Sequence, residues 1–206
     1  MIELTETKER IFDVFVEMAS TLGYENVTTR DIAKKIGINA ASIYYHFESK
    51  DKILEYAYDY YSEYQYDNRK PIDEMKKIIE AASAAEIVSK FFYTFETEDK
   101  KRYVRMILIT KIIYMRLFQD QIANTMFADS NTNNAEYVTS LLKYGVEIGR
   151  IDPEFDIHTF ADVLIGAMTI MGIKAFADRA YAVGQLEQEK RILALLARML
   201  STALLS

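Results

Sequence analysis

The chain has 206 residues, half of them apolar, with 31 acidic against 25 basic side chains and a formal net charge of −6. This length and composition allow one substantial core, or a small module joined to a larger one. The absence of Cys excludes a disulfide framework and a thiolate metal site, and a reducing compartment is the expected setting.

The opening "MIELTETKER" is charged and lacks the apolar run of a secretory signal, so a cytoplasmic location is expected. The stretch "VLIGAMTIMGIKAFA" meets Lys174 or flanking acids before the ~20 apolar residues of a membrane span accumulate, and no such span is expected. With two Pro, seven Gly and no alternating apolar pattern, the chain reads as all-α. A first helix is expected from Thr5 to Leu22, with Ile11, Val14, Phe15, Met18 and Leu22 on one face and Gly23 at its end. Thr28 and Asp31 have capping-box spacing for a second helix, and Asn39 and Ser49 can cap the next two. Pro71 marks a seam after a Tyr-rich helix. Helical pattern then covers residues 73–97 and 99–128, and the polar "ADSNTNNAE" reads as a loop. A helix from Glu136 to Ile148 stops at Gly149 and Pro153, and Asp156 can start the next. Two long helices close the chain, about Ile157 to Tyr181 and Leu186 to Leu205, separated by Gly184.

Residues 28–54 are the most informative. Two helices that cross steeply need a small residue at the contact, a residue tolerant of positive φ at the turn, and an apolar side chain that locks the second helix onto the first. Ala33, Gly37 and Ile43 supply these in order, over Ile32, Ile36, Ile38 and Phe47. This is helix-turn-helix spacing, which holds a second helix in the DNA major groove. Its outward positions are Ala40, Ala41, Ser42, Tyr44, Tyr45 and His46. The alanines can pack on thymine methyls, and Ser42 and the Tyr hydroxyls can bond base edges or phosphates. Thr28, Thr29 and Arg30 sit at a helix amino end suited to a phosphate, and Lys50 opens the next helix. Taken without their context, Tyr44 and His46 also fit a half-buried stripe or an imidazole bonded to backbone.

The run "TTRDIAKKIGI", the Ile-Tyr-Tyr-His-Phe at 43–47, Ser-Lys-Asp at 49–51 and Leu54 resemble the DNA-binding domain of the TetR/AcrR family of bacterial and archaeal transcriptional regulators. The resemblance covers about a quarter of the chain. It implies a three-helix helix-turn-helix domain over 1–49, a connecting helix over 50–68, and a helical ligand-binding and dimerisation domain over 50–206. It also implies base or phosphate contacts by the residues matching Thr29, Arg30, Ala40, Ala41, Ser42, Tyr44, Tyr45, His46 and Lys50. Ala40 and Ala41 stand where many relatives carry Lys, Gln, Gly or Pro, so the operator sequence stays open.

Up to Tyr66 there are seven basic and twelve acidic residues, a net of −5, whereas from Thr28 to Lys52 five basic oppose three acidic residues, a net of +2. DNA affinity should therefore be weak for one head, steeply salt-dependent, and reliant on two half-sites. In the last two helices, Phe160, Val163, Leu164, Met168 and Met171, with Ile192, Leu195, Leu196, Met199 and Leu200, cover more than one stripe each. A four-helix homodimer interface is expected, with internal core as the alternative.

The large side chains between 90 and 120 place an effector site there, with Phe92, Phe95, Tyr103, Met106, Tyr114 and Phe118 as candidates and plain core as the alternative. Glu86 and Glu96 permit a cationic or aromatic ligand, and a fatty acyl ligand is equally compatible. The expected mechanism is a repressor whose helix from Lys50 to about Asn68 swings when an apolar or aromatic effector binds. Neither a catalytic motif nor a cofactor or metal site is read. Asp129, Asn131 and Asn133 fail as a calcium loop because Asn134 replaces its Gly and Ser140 its bidentate Glu. The other functions that the sequence admits are a helical carrier of small molecules without a DNA role, and a related activator.

Overall fold

The computed structural model describes residues 6–67, 69–92, 99–177 and 181–205, with side chains except at 66, 67, 92, 175–177, 181–186 and 188. The described chain is helical, in the order α1 Glu6–Leu22, a 3-10 turn Tyr24–Asn26, α2 Thr29–Ile36, α3 Ala40–His46, α4 Lys50–Asp67, α5 Ile72–Ala81, α6 Ala84–Phe92, α7 Lys100–Arg116, α8 Gln121–Glu147, α9 Ile157–Ala177 and α10 Tyr181–Ser201. An isolated bridge pairs Ile151 with Leu204.

The helix ends follow from local chemistry. Thr28 and Asp31 close a capping box on α2, and Asn39 accepts the Ala41 N–H at the start of α3. Ser49 accepts from Lys52 N on α4, and Asp156 from Thr159 N on α9. Ser83 and Glu86 form a second reciprocal box on α6, with Ser83 N donating to Glu86 at 2.8 Å and Glu86 N to Ser83 at 3.3 Å.

Packing divides the chain into two units, Met1–Asn68 with Thr97–Phe127, and Arg69–Glu96 with Ala128–Ser206. The first joins α1 to α4 with α7 around Phe12, Phe15, Ile32, Ile43, Ile53 and Ile109, all buried. The helix from Lys50 and the one from Lys100 thus share a core with the amino-terminal helices. The second packs α6 and α9 against α10 around Ile87, Leu141, Phe160, Leu164 and Leu200.

Several sequence expectations change. The polar stretch 128–136 is helical, inside α8. It contains no Gly or Pro to break the ladder, and its amides bond across the unit: Thr169 donates to Asn131 at 3.1 Å and Arg69 to Asn134 at 2.8 Å. The pattern over 99–128 breaks at 117–120, where Asp120 accepts from Ile122 N and Ala123 N and starts α8. Likewise 73–97 breaks before Ala84, at the Ser83 cap. Gly184 lies within α10 and separates nothing. On α1 the buried apolar set is Ile11, Phe12, Phe15, Val16 and Ala19, and Leu22 is exposed. The segment Ile157–Lys174 is long and apolar enough to cross a membrane by length and composition, contrary to expectation, and 22% of it is buried. Its Phe160, Leu164 and Ile165 line the second unit's core, while Val163, Ile170 and Ile173 remain exposed.

Candidate nucleic-acid interface

Gly37 adopts φ 81°, ψ 33°, and both its N–H and that of Ile38 return to Ala33 O at 2.9 and 3.0 Å. Only a residue at ease in the left-handed region closes α2 this way, so the chain leaves at the angle that α3 requires. Ile43 is fully buried and Phe47 nearly so, and both tether α3 from below. The opposite edge faces solvent: Ala41 is exposed, Ala40, Ser42 and His46 are partly so, and Tyr44 and Tyr45 are 54% and 88% exposed. Tyr45 stacks edge-on with His46 at 5.2 Å, and the Tyr44 hydroxyl bonds Thr29 Oγ1 at 3.1 Å. That bond brings a side chain of α3 to the amino end of α2, beside exposed Thr28 and Arg30.

Most of the local positive charge is engaged within the protein. Lys35 pairs with Glu17 at 2.8 Å, Lys52 with Glu55 at 2.5 Å, and Lys50 Nζ donates to Tyr24 O at 3.0 Å. Arg30 and Lys34 have no ion-pair or hydrogen-bond partner among the described residues. Among the described residues, no group of three or more His, Asp or Glu is placed to hold a metal ion.

Behind this face lies a polar hub that local sequence patterns do not reveal. The Tyr24 ring meets two cations, Lys50 Nζ at 4.0 Å and the Arg116 guanidinium at 4.2 Å, and its hydroxyl donates to Asp51. Arg116, at the end of α7, also bonds Glu25 at 2.7 Å and Asp120 at 3.0 Å. Asp120 accepts the Tyr58 hydroxyl at 3.1 Å. Burial alone would raise the Asp120 carboxyl, but Arg116, the α8 N–H groups and Tyr58 together hold it below the usual carboxylate range. Burial and the bond to Asp51 push the Tyr24 hydroxyl up. At the other end of α7, Arg105 bonds Glu9 at 2.6 Å and Asp13 at 2.5 Å, and Lys101 bonds Glu9 at 2.8 Å. These bonds, led by that from Lys101, hold the Glu9 carboxyl low.

The aromatic residues proposed for an effector site are not gathered around a described cavity. Tyr103 is 41% and Phe118 93% exposed, Met106 packs on the first unit's core, and Tyr114 stacks on Phe127 at 5.6 Å, its hydroxyl pushed up by burial to about 12. Phe95 and the side chain of Phe92 lie outside the described residues. Glu86 is occupied in the α6 capping box, and Glu96 is outside the described residues. The described cavities lie in the second unit. One of about 360 Å³ is lined by Asn131, Thr132, Ala135, Asp162, Ile165 and Thr169, among others. A smaller one lies among Arg69, Phe91, Asn134, Tyr137, Ile165 and Met168.

Residues 11–57 match the family model described as bacterial regulatory proteins, tetR family. Over this domain the chain is similar to the TetR family. It is 30% identical over 103 residues to the biofilm operon icaADBC HTH-type negative transcriptional regulator IcaR of Staphylococcus aureus strain Newman, covering 48% of this chain and 50% of the relative. The Staphylococcus epidermidis IcaR is 26% identical over 106 residues, covering 48% and 52%. The chain spans about half the length of the curated relatives it matches. Solved structures extend the likeness of fold to nearly the whole chain. A transcriptional regulator from Saccharomonospora viridis, in complex with choline, superposes with TM-score 0.64 at 19% identity over 94% of each chain. The ketosteroid transcriptional regulator KstR2 of Mycobacterium tuberculosis gives 0.61 at 16% identity over 99% of this chain and 98% of its own. The TetR fold therefore accounts for both units.

Proposed function

We propose that the chain is a DNA-binding transcriptional repressor that acts as a homodimer on a pseudo-palindromic operator and is released by a small effector. The observation that carries this reading is the exposed edge of α3, Ala40 to His46, held outward by the left-handed Gly37 and the burial of Ile43. The match to the tetR family model over residues 11–57 and relatives named as negative transcriptional regulators support it. The role sets the protein in the cytoplasm and requires no catalysis.

In this reading Ala40 and Ala41 approach thymine methyls, and Ser42, Tyr44, Tyr45 and His46 reach base edges or phosphates. Thr28, Thr29 and Arg30 hold a phosphate at the α2 amino end. Lys50 acts differently from the other contacts. Its ammonium is engaged by the Tyr24 carbonyl and ring, so it positions the head and meets phosphate only secondarily. With Arg30 and Lys34 as the unengaged cations, one head binds weakly, and two heads about 34–36 Å apart bind together.

The second head comes from a partner copy. Val163, Ile170 and Ile173 of α9 and Leu195 of α10, 60% exposed, are apolar side chains on two helices that pack together. Their burial against the same helices of a second chain gives a four-helix interface. Effector binding acts through α4, whose first turn is tied to Tyr24 by Lys50 and Asp51 and whose middle is tied to Asp120 by Tyr58. A shift of the α7–α8 turn is thereby felt at both the reading head and α4, and the spacing of two heads changes.

The test is a gel shift on DNA upstream of the protein's own gene. The wild type is expected to bind at roughly 10 nM, the weak end of specific protein–DNA affinities at physiological salt. Ala41→Glu places a carboxylate on the exposed edge and should lose binding at least about a hundredfold while the fold is retained. Equal, negligible shifts for both proteins would favour the small-molecule carrier instead.

A further inference from the structure

The second unit holds a guanidinium whose surroundings are unusual in so acidic a chain. With 31 acids against 25 bases available, Arg69 has no carboxylate partner among the described residues. One of its five N–H groups donates to Asn134 Oδ1 at 2.8 Å, and its Cζ lies 4.9 Å from the Tyr137 ring centroid. Neighbouring Lys70 takes the nearby acid, pairing with Glu74 at 3.6 Å, and its carbonyl takes the Tyr137 hydroxyl at 2.8 Å. Because Asn134 must turn its oxygen to the guanidinium, its NH₂ group faces away as a further donor. The remaining wall of the same cavity is apolar: Phe91, Val138 and Ile165 are nearly buried, and Met168 is partly so.

We propose that this cavity receives the carboxylate of an organic acid with an apolar body, with Arg69 and Asn134 holding the charge. The assignment rests on the reading of the chain as an effector-released regulator and names the class of effector. The N–H groups that Arg69 and Asn134 have left to give converge as donors, which suits an anionic group. The guanidinium is already held by Asn134 and by contact with the Tyr137 ring, so little freedom is lost when an acid binds. The space beside Arg69, about 20 Å³, is room for one water-sized group, such as a carboxylate oxygen. The apolar body needs more, and Ile165 is a wall shared with the 360 Å³ cavity. That volume lies within the range of roughly 300–1,000 Å³ typical of small-molecule sites. A rotamer change at Ile165, helped by the adaptable Met168, joins the two.

The experiment measures binding directly, by calorimetry on the full-length protein without DNA, using sodium octanoate, 1-octanol and octyltrimethylammonium as probes. Octanoate is expected to bind saturably and at least about tenfold more tightly than either uncharged or cationic probe. Arg69→Gln should weaken octanoate by about ten- to a hundredfold and leave octanol unchanged. The comparison of probes on the wild type stands even if that variant fails to fold. Equal binding of octanol or octyltrimethylammonium, unchanged octanoate binding in a folded Arg69→Gln variant, or no saturable binding of octanoate would each overturn the assignment. Failure of the regulator reading would show separately, as absence of DNA binding by the acid-free protein.

Discussion

Replacing Arg116 with Met keeps most of the stem and removes the guanidinium that ties α7 to the reading head. Arg116 and Asp120 are 14% and 12% exposed, so their charge-assisted bond contributes about 1.5–3 kcal/mol. Asp120 keeps Tyr58 and two N–H groups of α8, which holds the loss to the lower half of that range. The bond to Glu25, whose side chain is 69% exposed, adds under about 0.5 kcal/mol. Losing one of the two cations on the Tyr24 ring adds roughly 0.5–1 kcal/mol. The sum is about 2–4 kcal/mol, which for a chain of this size lowers Tm by roughly 5–15 °C. Thermal unfolding of Arg116→Met, Asp120→Asn and the double variant measures it, with a coupling of about 1 kcal/mol or more expected between the pair. A single-variant drop of about 1 °C, or strict additivity, would refute the hub as a structural tie.

Gly145 and Gly149 should respond differently to Ala. A Cβ at Gly145 would lie 2.6 Å from Ile151 Cδ1 and 3.0 Å from Ile79 Cγ2, both side chains being fully buried. Overpacking of about 1–3 kcal/mol then outweighs the ~1 kcal/mol of helix propensity gained. At Gly149 a Cβ meets nothing, and the destabilisation of roughly 1–2 kcal/mol comes from φ 72° alone, so Asn there should be milder than Ala; urea unfolding of the three variants decides this. Because the Asp120 and Glu9 carboxyls are held low in the folded chain, their stabilisation is full above about pH 4, where the unfolded groups ionise, and is lost as pH falls toward the folded values. Tm measured from pH 6 down to 3 should fall on the acid side, and less steeply for Asp120→Asn. Leu195→Glu, on the exposed apolar stripe, should convert a dimer to monomer in sedimentation analysis while leaving the helical circular dichroism intact.

The amino-terminal third of the fold is written locally. Thr28, Asp31, Gly37, Asn39 and Ser49 each act within four residues, and each does in the structure what its spacing implied. The same grammar was available at Ser83 and Glu86, whose three-residue spacing ends the long pattern over 73–97, and at Asp120. Stretch 128–136 misled because polarity is a poor sign of a break when Gly and Pro are absent: Asn131 and Asn134 are polar because they bond Thr169 and Arg69. The hub and the cavities escaped for a different reason. Tyr24 meets Arg116, and Arg69 meets Asn134, across separations of 92 and 65 residues that no local period encodes. Aromatic density drew attention to 90–120, and among the described residues of that set Phe91 lines a described cavity.

Selection of genomic DNA fragments by the purified protein, in parallel with its Leu195→Glu variant, tests most directly whether α3 is a reading edge used in duplicate. Fragments recovered by the wild type should share an inverted repeat with half-sites about one helical turn, or a whole multiple of it, apart, and the variant should recover none of them. Recovery of no common sequence, or of single half-sites bound equally well by both proteins, would contradict the account.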